Sequence, residues 1–388
     1  MNDFIYHIPT KVYFGTGHLD KLPGETARLG KRVLLVYGGG SIKASGLYDR
    51  LMGPMENAGL SVYELGGVDP NPRVSSVRQG AAMCKQEGID VVLAVGGGSV
   101  IDCAKLVAAA AYYEGDAWDL VCGKARIDKA LPIVCVLTLA ATGSEMDASA
   151  VISNPDTQEK LLAISSHIRP QVAFLDPTLT YSVSAFQTAC GSADILSHIM
   201  EVYFDLSQDL ELLDREMEGM MKTVIQFAPV ALANPEDYRA RANLMWASSW
   251  AINGFFNGGK QQAWSCHPME HELSAFYDIA HGLGLAILTP RWMEYVLDET
   301  TVSKFYTFGT NVFGIDPALP PMEVARQSIQ RTRDFLFGQL GLDDTLTKIG
   351  IDDTHFERMA EKACAGGAIP GFKHLTKQDV VRIYQMCL

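Results

Sequence analysis

The sequence predicts an α/β N-terminal half, a parallel sheet with helices on both faces, followed by an all-helical C-terminal half. Three observations predict it. Short, bulky apolar runs in the first half end at corners rich in Gly, Pro or Thr. Helix-compatible periodicity fills the gaps between these runs. From Ser184 onward no strand-like run appears, and one helical pattern follows another. Uninterrupted apolar strands separated by helices belong to a parallel sheet buried on both sides.

Arg32–Tyr37 (RVLLVY) reads as a buried strand that stops at Gly38-Gly39-Gly40-Ser41. Leu60–Leu65 stops at Gly66-Gly67, and Asp90–Val95 at Gly96-Gly97-Gly98-Ser99. Leu131–Leu137 runs into Thr138–Glu145 (TLAATGSE), and Gln171–Leu175 ends at Asp176-Pro177. Gly46–Ala58, Val74–Glu87 and Val100–Tyr113 are the intervening helices. Ala148–Ser153 with Asn154-Pro155-Asp156 reads as the first arm and turn of a small hairpin. The second half reads as helices over Phe186–Phe204, Glu211–Phe227, Tyr238–Phe255, Pro268–Tyr277, Leu283–Val296, Thr301–Phe313, Met322–Leu340, Asp353–Ala363 and Lys377–Cys387. Pro229, Pro235, Pro290 and Pro317 are expected at or near breaks. The 388 residues therefore divide into domains at 1–182 and 183–388.

Composition narrows the function. There are 32 Lys and Arg against 45 Asp and Glu, a net charge of −13, with no basic block. This excludes a nucleic-acid or anionic-membrane partner. The longest apolar stretch, Ala130–Ala141, is interrupted by Pro132 and Thr138 and falls short of the roughly 20 residues a membrane span needs. The start, MNDFIYHIPTKVYFG, shows no secretory pattern. Eight cysteines without a C-x-x-C pair suit reduced, buried thiols, so a cytoplasmic protein is expected.

The two GGGS corners, Gly38-Gly39-Gly40-Ser41 and Gly96-Gly97-Gly98-Ser99, follow strands of one parallel sheet. Missing β-carbons let a phosphate approach the backbone, and a helix N-terminus offers free N–H groups. Together with Thr138–Glu145 they point to a dinucleotide, although G-x-G-x-x-G is absent. In the second half Asp194 and His198 are four residues apart, as are His267 and His271, and His281 lies ten further on. A carboxylate and several imidazoles on apolar helical faces are costly to bury unless something joins them. A divalent cation does so, and the ligand types suit Zn²⁺ or Fe²⁺.

Five stretches, GGGSVIDCAK (96–105), TLAATGSE (138–145), FLDPTLT (174–180), DILSHIME (194–201) and CHPMEHELSAFYDIAHGLGL (266–285), carry a resemblance over essentially the whole chain. The sequence resembles the iron-containing (group III) alcohol dehydrogenase family, in its butanol dehydrogenase and NADPH-dependent aldehyde reductase branch. The resemblance implies the fold shared with dehydroquinate synthase: a dinucleotide-binding domain, a helical metal domain and a cleft between them. It implies metal ligands at Asp194, His198, His267 and His281, and His271 as a non-ligand beside the nicotinamide. It implies a pyrophosphate loop at Gly96, Gly97, Gly98 and Ser99, with Asp102, Thr138, Thr142, Lys160 and Leu179 at the cofactor. Met146-Asp147, after Ser144-Glu145, lies outside any fixed family pattern.

The expected activity is metal-dependent interconversion of short-chain, butanol-like primary alcohols and aldehydes by hydride transfer. Three neutral imidazoles and one carboxylate around a divalent ion give a net +1 that favours an alkoxide. His271 is the expected proton donor or relay. The alternatives are a dehydroquinate synthase or glycerol dehydrogenase-like enzyme, or a non-catalytic dinucleotide- and metal-binding protein. The absence of Lys and Arg from residues 186–214 weighs against a phosphorylated acid substrate. The turn from Gly38 to Lys43 contains no acid, so NADP(H) is expected over NAD(H), with NAD(H) possible. The resemblance also implies a homodimer, in which Lys11–Phe14 (KVYF) could pair across a two-fold axis. Trp246, Trp250, Phe255, Phe256 and Trp264 are candidates for a substrate pocket, against the blander role of core aromatics.

Overall fold

The computed structural model describes residues 3–205, 207, 210–260 and 264–388. The chain divides into two compact units, one of His7–Val183 with Ser248–Asn253, the other of Met1–Tyr6, Ser184–Ala247 and Gly254–Leu388.

The first unit is built on eight strands: β1 (Lys11–Phe14), β2 (Arg32–Tyr37), β3 (Ser61–Leu65), β4 (Val91–Gly96), β5 (Ile133–Leu137), β6 (Ser149–Asn154), β7 (Glu159–Ile164) and β8 (Val172–Leu175). Six of them form a parallel sheet in the order β1-β8-β5-β4-β2-β3, and β6-β7 is a separate antiparallel hairpin. Every residue of β4, β5 and β8 is buried. Since neighbours on a strand face opposite ways, both faces of the sheet are covered. Val33, Leu35, Leu93, Val95, Val134, Val136 and Phe174 form one face of the core, packed against Leu22, Leu47, Leu51 and Met55.

The expected strand Lys11–Phe14 exists, but it pairs with β8 inside its own sheet, Lys11 opposite Val172. Its place at the sheet edge leaves only its other side open to a further strand. The helix expected from Val100 begins at Gly98, directly after the strand, and runs to Ala110. The helix Leu22–Leu29 has no counterpart in the sequence analysis; Pro23 lies in its first turn, where the missing N–H has no partner to lose.

The second unit is helical; its helices include Ala185–Tyr203, Glu211–Ala233, Cys266–Tyr277, His281–Val296, Val302–Phe313, Pro321–Arg333, Phe356–Ala363 and Lys377–Met386. Among the described residues no strand follows β8. Two expected breaks are corrected: Pro229 lies inside Glu211–Ala233 and Pro290 inside His281–Val296. Burial overrides the lost hydrogen bond there, since Ile287, Leu288 and Met293 around Pro290 are all shielded from solvent. No described helix is long and apolar enough to cross a membrane. All eight cysteines are free thiols.

Candidate metal centre and dinucleotide corners

Three helices bring the four expected ligands together. Ala185–Tyr203 carries Asp194 and His198 one turn apart. Cys266–Tyr277 carries His267 in its first turn, and His281 opens His281–Val296. Gly282 permits that last helix to approach closely, because a β-carbon there would strike the Cys190 carbonyl of the first helix.

Asp194 Oδ1 lies 3.5 Å from His198 Nε2, 4.0 Å from His267 Nε2 and 3.7 Å from His281 Nε2. Donors about 2.1 Å from a tetrahedral ion stand roughly 3.4 Å from one another, a spacing these three oxygen-to-nitrogen distances approach; donor atoms of Asp194, His267 and His281 all lie within 4.8 Å of one another, and His198 joins them through Asp194. His267 Nε2 is buried and has no hydrogen-bond partner, a costly state unless an ion takes the lone pair. Burial first, then the neighbouring His267 and His281, pushes His198 well below its ordinary value, which keeps it a neutral ligand. The residues therefore fit a divalent metal.

In the sequence Glu201 lies on the Asp194 face, seven residues on, where it reads as a hydrogen-bonding carboxylate, and Glu270 is missed. Glu201 accepts from the backbone N–H of Ser265 at 2.6 Å, Cys266 at 2.7 Å and His267 at 2.9 Å. It also lies 3.1 Å from His267 Nδ1. One carboxylate thus closes a helix N-terminus and fixes a histidine ring. Glu270, fully buried, holds His281 Nδ1 and receives the Ser274 hydroxyl. A charged residue within a helix ordinarily reads as solvated, which hid it; its position three after His267, on the same helical face, was the available signal. Glu201 and Glu270 stand behind two of the expected ligand rings, on their Nδ1 side, and orient them for a cation. Glu270→Gln should weaken metal affinity by about 10- to 100-fold while leaving the fold intact. Competition with a chelator reads this; unchanged affinity would remove Glu270 from the account.

His271 stands beside the cluster, its ring centroid 6.4 Å from that of His267 and 5.7 Å from that of His281. Of the candidate aromatics, Trp264 packs on the histidines, 4.6 Å from His267 and 5.6 Å from His198 between ring centroids. Phe256 is buried and Trp246 is partly exposed, at 39%.

The residues expected at the dinucleotide lie in the sheet unit. Gly38–Ser41 follow β2, Gly96–Ser99 follow β4, Thr138 follows β5, and Leu179 follows β8 within the turn Pro177–Thr180. These strands are neighbours, so the segments gather at the carboxyl ends of one parallel sheet, where such folds bind nucleotides. Thr138 N–H donates to Gly96 O at 3.0 Å. A β-carbon on Gly98 would strike Thr142, so glycine is what lets the Thr138–Glu145 loop lie on the helix start. Asp102 accepts from Ser144 Oγ at 2.5 Å and from the Val151 N–H at 2.9 Å. Both its oxygens are thus engaged in holding that loop, and burial pushes its carboxyl up to about 6. The Ser99 hydroxyl is bonded to the Pro70 carbonyl. Lys160 is buried on β7, opposite Ser153, and Leu179 packs on the sheet core. Asp147, the unplaced acid, pairs with the fully buried Lys105.

The comparisons with known proteins agree with this geometry. The family description "Iron-containing alcohol dehydrogenase" matches residues 9–177, and "Fe-containing alcohol dehydrogenase family, C-terminal" matches 188–388. NADH-dependent butanol dehydrogenase B of Clostridium acetobutylicum is 49% identical over 387 residues, 99% of either chain. NADPH-dependent aldehyde reductase YqhD of Escherichia coli is 37% identical over 395 residues, again 99% of each. The crystal structure of NADH-dependent butanol dehydrogenase A from Thermotoga maritima superposes with a TM-score of 0.95 at 38% identity, covering 100% of this chain and 99% of that one. The chain belongs to the iron-containing alcohol dehydrogenase family.

Proposed function

We propose that the protein interconverts short-chain primary alcohols and aldehydes, with a nicotinamide dinucleotide as hydride carrier and one divalent metal, Fe²⁺ or Zn²⁺. The observation that carries this is the set of three imidazoles around Asp194, two of them buried, in a chain that also gathers two GGGS corners at the ends of adjacent strands. A bound divalent ion supplies Lewis acidity toward a carbonyl or alcohol oxygen. Asp194, His198, His267 and His281 hold it. Glu201 and Glu270 fix the ring planes of two ligands. His271, next to the centre, holds the proton that the product oxygen needs and returns it in the reverse direction. Gly96–Ser99 and the helix N-terminus they open bind the pyrophosphate. Residues 7–183 supply the dinucleotide domain and the helices after 184 the metal domain.

The names of the relatives support both cofactors, NADH for the butanol dehydrogenase and NADPH for the aldehyde reductase. NADP(H) is favoured here by the acid-free turn, with a margin narrowed by Glu64, which lies beside that turn. The free thiols suit a cytoplasmic setting. A homodimer is the expected assembly, and sedimentation as a monomer at micromolar concentration would refute it.

Butanal and NADPH or NADH, supplied to the metal-loaded protein, should be turned over at about 1–10³ s⁻¹. A panel of butanal, propanal, isobutanal and glyoxal then orders the substrates. Failure of every aldehyde with both dinucleotides would reject the reading.

A further inference from the structure

Glu64 is the next-to-last residue of β3, opposite Leu35 of β2. Its Oε2 accepts from Tyr37 OH at 2.8 Å and from Lys43 Nζ at 3.0 Å, and its Oε1 accepts from Tyr48 OH. The Lys43 ammonium also lies 4.9 Å from the Tyr37 ring centroid and 4.5 Å from that of Tyr48. Tyr37 ends β2, Gly38–Gly40 follow at once, and Lys43 sits in the short helix Ser41–Ala44 that closes the turn. The cation of this corner is therefore held by an acid from the neighbouring strand. No inspection of the turn itself finds that acid, because it is 21 residues further along.

The corner has a particular place in the sheet. β2 pairs with β4, whose end carries Gly96–Ser99. When a glycine loop at one strand end takes the pyrophosphate, the adenosine ribose is read at the end of the adjoining strand, where an acid accepts a free 2′-hydroxyl and a cation favours a 2′-phosphate. Here the two opposite charges neutralise each other, and two phenol rings fix the lysine chain.

We propose that Glu64 sets the choice between NADP(H) and NAD(H) by withdrawing Lys43 from the 2′-position of the adenosine ribose. This rests on the dinucleotide-dependent function proposed above. Both Glu64 oxygens are engaged by three donors, so it acts through Lys43 and is a positioning residue. Those hydrogen bonds, Tyr48's first, hold its carboxyl below the ordinary value, so it stays charged at neutral pH. Lys43 is about half exposed, which screens the pair and sets a moderate size for the effect.

The test is a two-by-two set: the unmodified protein, Glu64→Gln, Lys43→Met and the double variant. Dissociation constants for NADPH and NADH are read by fluorescence, without substrate. Glu64→Gln should tighten NADPH by about five- to tenfold and change NADH less than about twofold. The double variant should lose that gain, since the freed ammonium is gone. A ratio of the two constants that stays within about twofold in Glu64→Gln, equal weakening of both dinucleotides, or a gain that survives Lys43→Met would each overturn the proposal. Binding of neither dinucleotide to the unmodified protein would instead overturn the function on which it rests.

Discussion

His198→Ala should lose the metal and lower aldehyde turnover by at least about a thousandfold, the equivalent of several kcal/mol of lost Lewis-acid stabilisation. The size follows from where His198 sits. Its Nε2 is 3.5 Å from Asp194 Oδ1, and its ring is stacked on His267 with centroids 4.8 Å apart and planes 16° from parallel. Removing it takes one of the four expected donors and leaves a hole beside Asp194. Metal content and turnover should fall together, with the helical circular dichroism unchanged, because the truncation leaves the apolar face of Ala185–Tyr203 in place. Full occupancy with unchanged turnover would remove His198 from the centre. The same variant should still bind the dinucleotide, since no residue of the glycine corners is altered.

The largest expected effect on stability is at Lys105. Its side chain is fully buried in the helix Gly98–Ala110, paired with Asp147 and donating to the Ser149 carbonyl at 2.7 Å. Lys105→Met keeps most of the volume but leaves Asp147 and Asp102 without their cation. Breaking a buried pair from one side costs about 3–5 kcal/mol, which in a unit of this size lowers the melting temperature by roughly 10 °C or more. The loss depends on pH, and its sign is fixed. Burial raises the Asp102 carboxyl to about 6 from an ordinary 3.8, while Lys105 pulls it down. Without Lys105 the folded-state value rises further. An acid so shifted contributes its stability below the unfolded value, and the contribution is lost as pH rises through the folded one. The deficit of Lys105→Met should therefore be small at pH 4 and widen toward pH 8. Lys105→Met with Asp147→Asn should recover part of it. A pH-independent deficit, or none, would show that packing rather than charge governs this site.

Much of the molecule was legible because its signals are local. β2 runs over the residues read from RVLLVY, and the hairpin turns where Asn154-Pro155-Asp156 said it would. The i, i+4 spacing of Asp194 and His198 needs only a helix to put both on one face. What stayed hidden is non-local or hinges on burial. KVYF reads as a strand, but its partner β8 is some 160 residues away, so the sequence could not choose between an internal and an external pairing. Pro290 reads as a break because the propensity of one residue is visible, whereas the buried neighbours that override it are not. Glu201, Glu270 and Glu64 share one cause: each serves a group on another turn, helix or strand. A carboxylate in the sequence looks like surface until its partner is placed.

Anomalous diffraction at the absorption edge of the bound metal tests the central claim most directly. Crystals of the metal-loaded protein should give one strong peak per chain. It should lie about 2.0–2.3 Å from the Asp194 carboxylate and from Nε2 of His198, His267 and His281. A principal peak on the Glu270–His271–His281 side, a site elsewhere in the chain, or no peak in loaded crystals would contradict it.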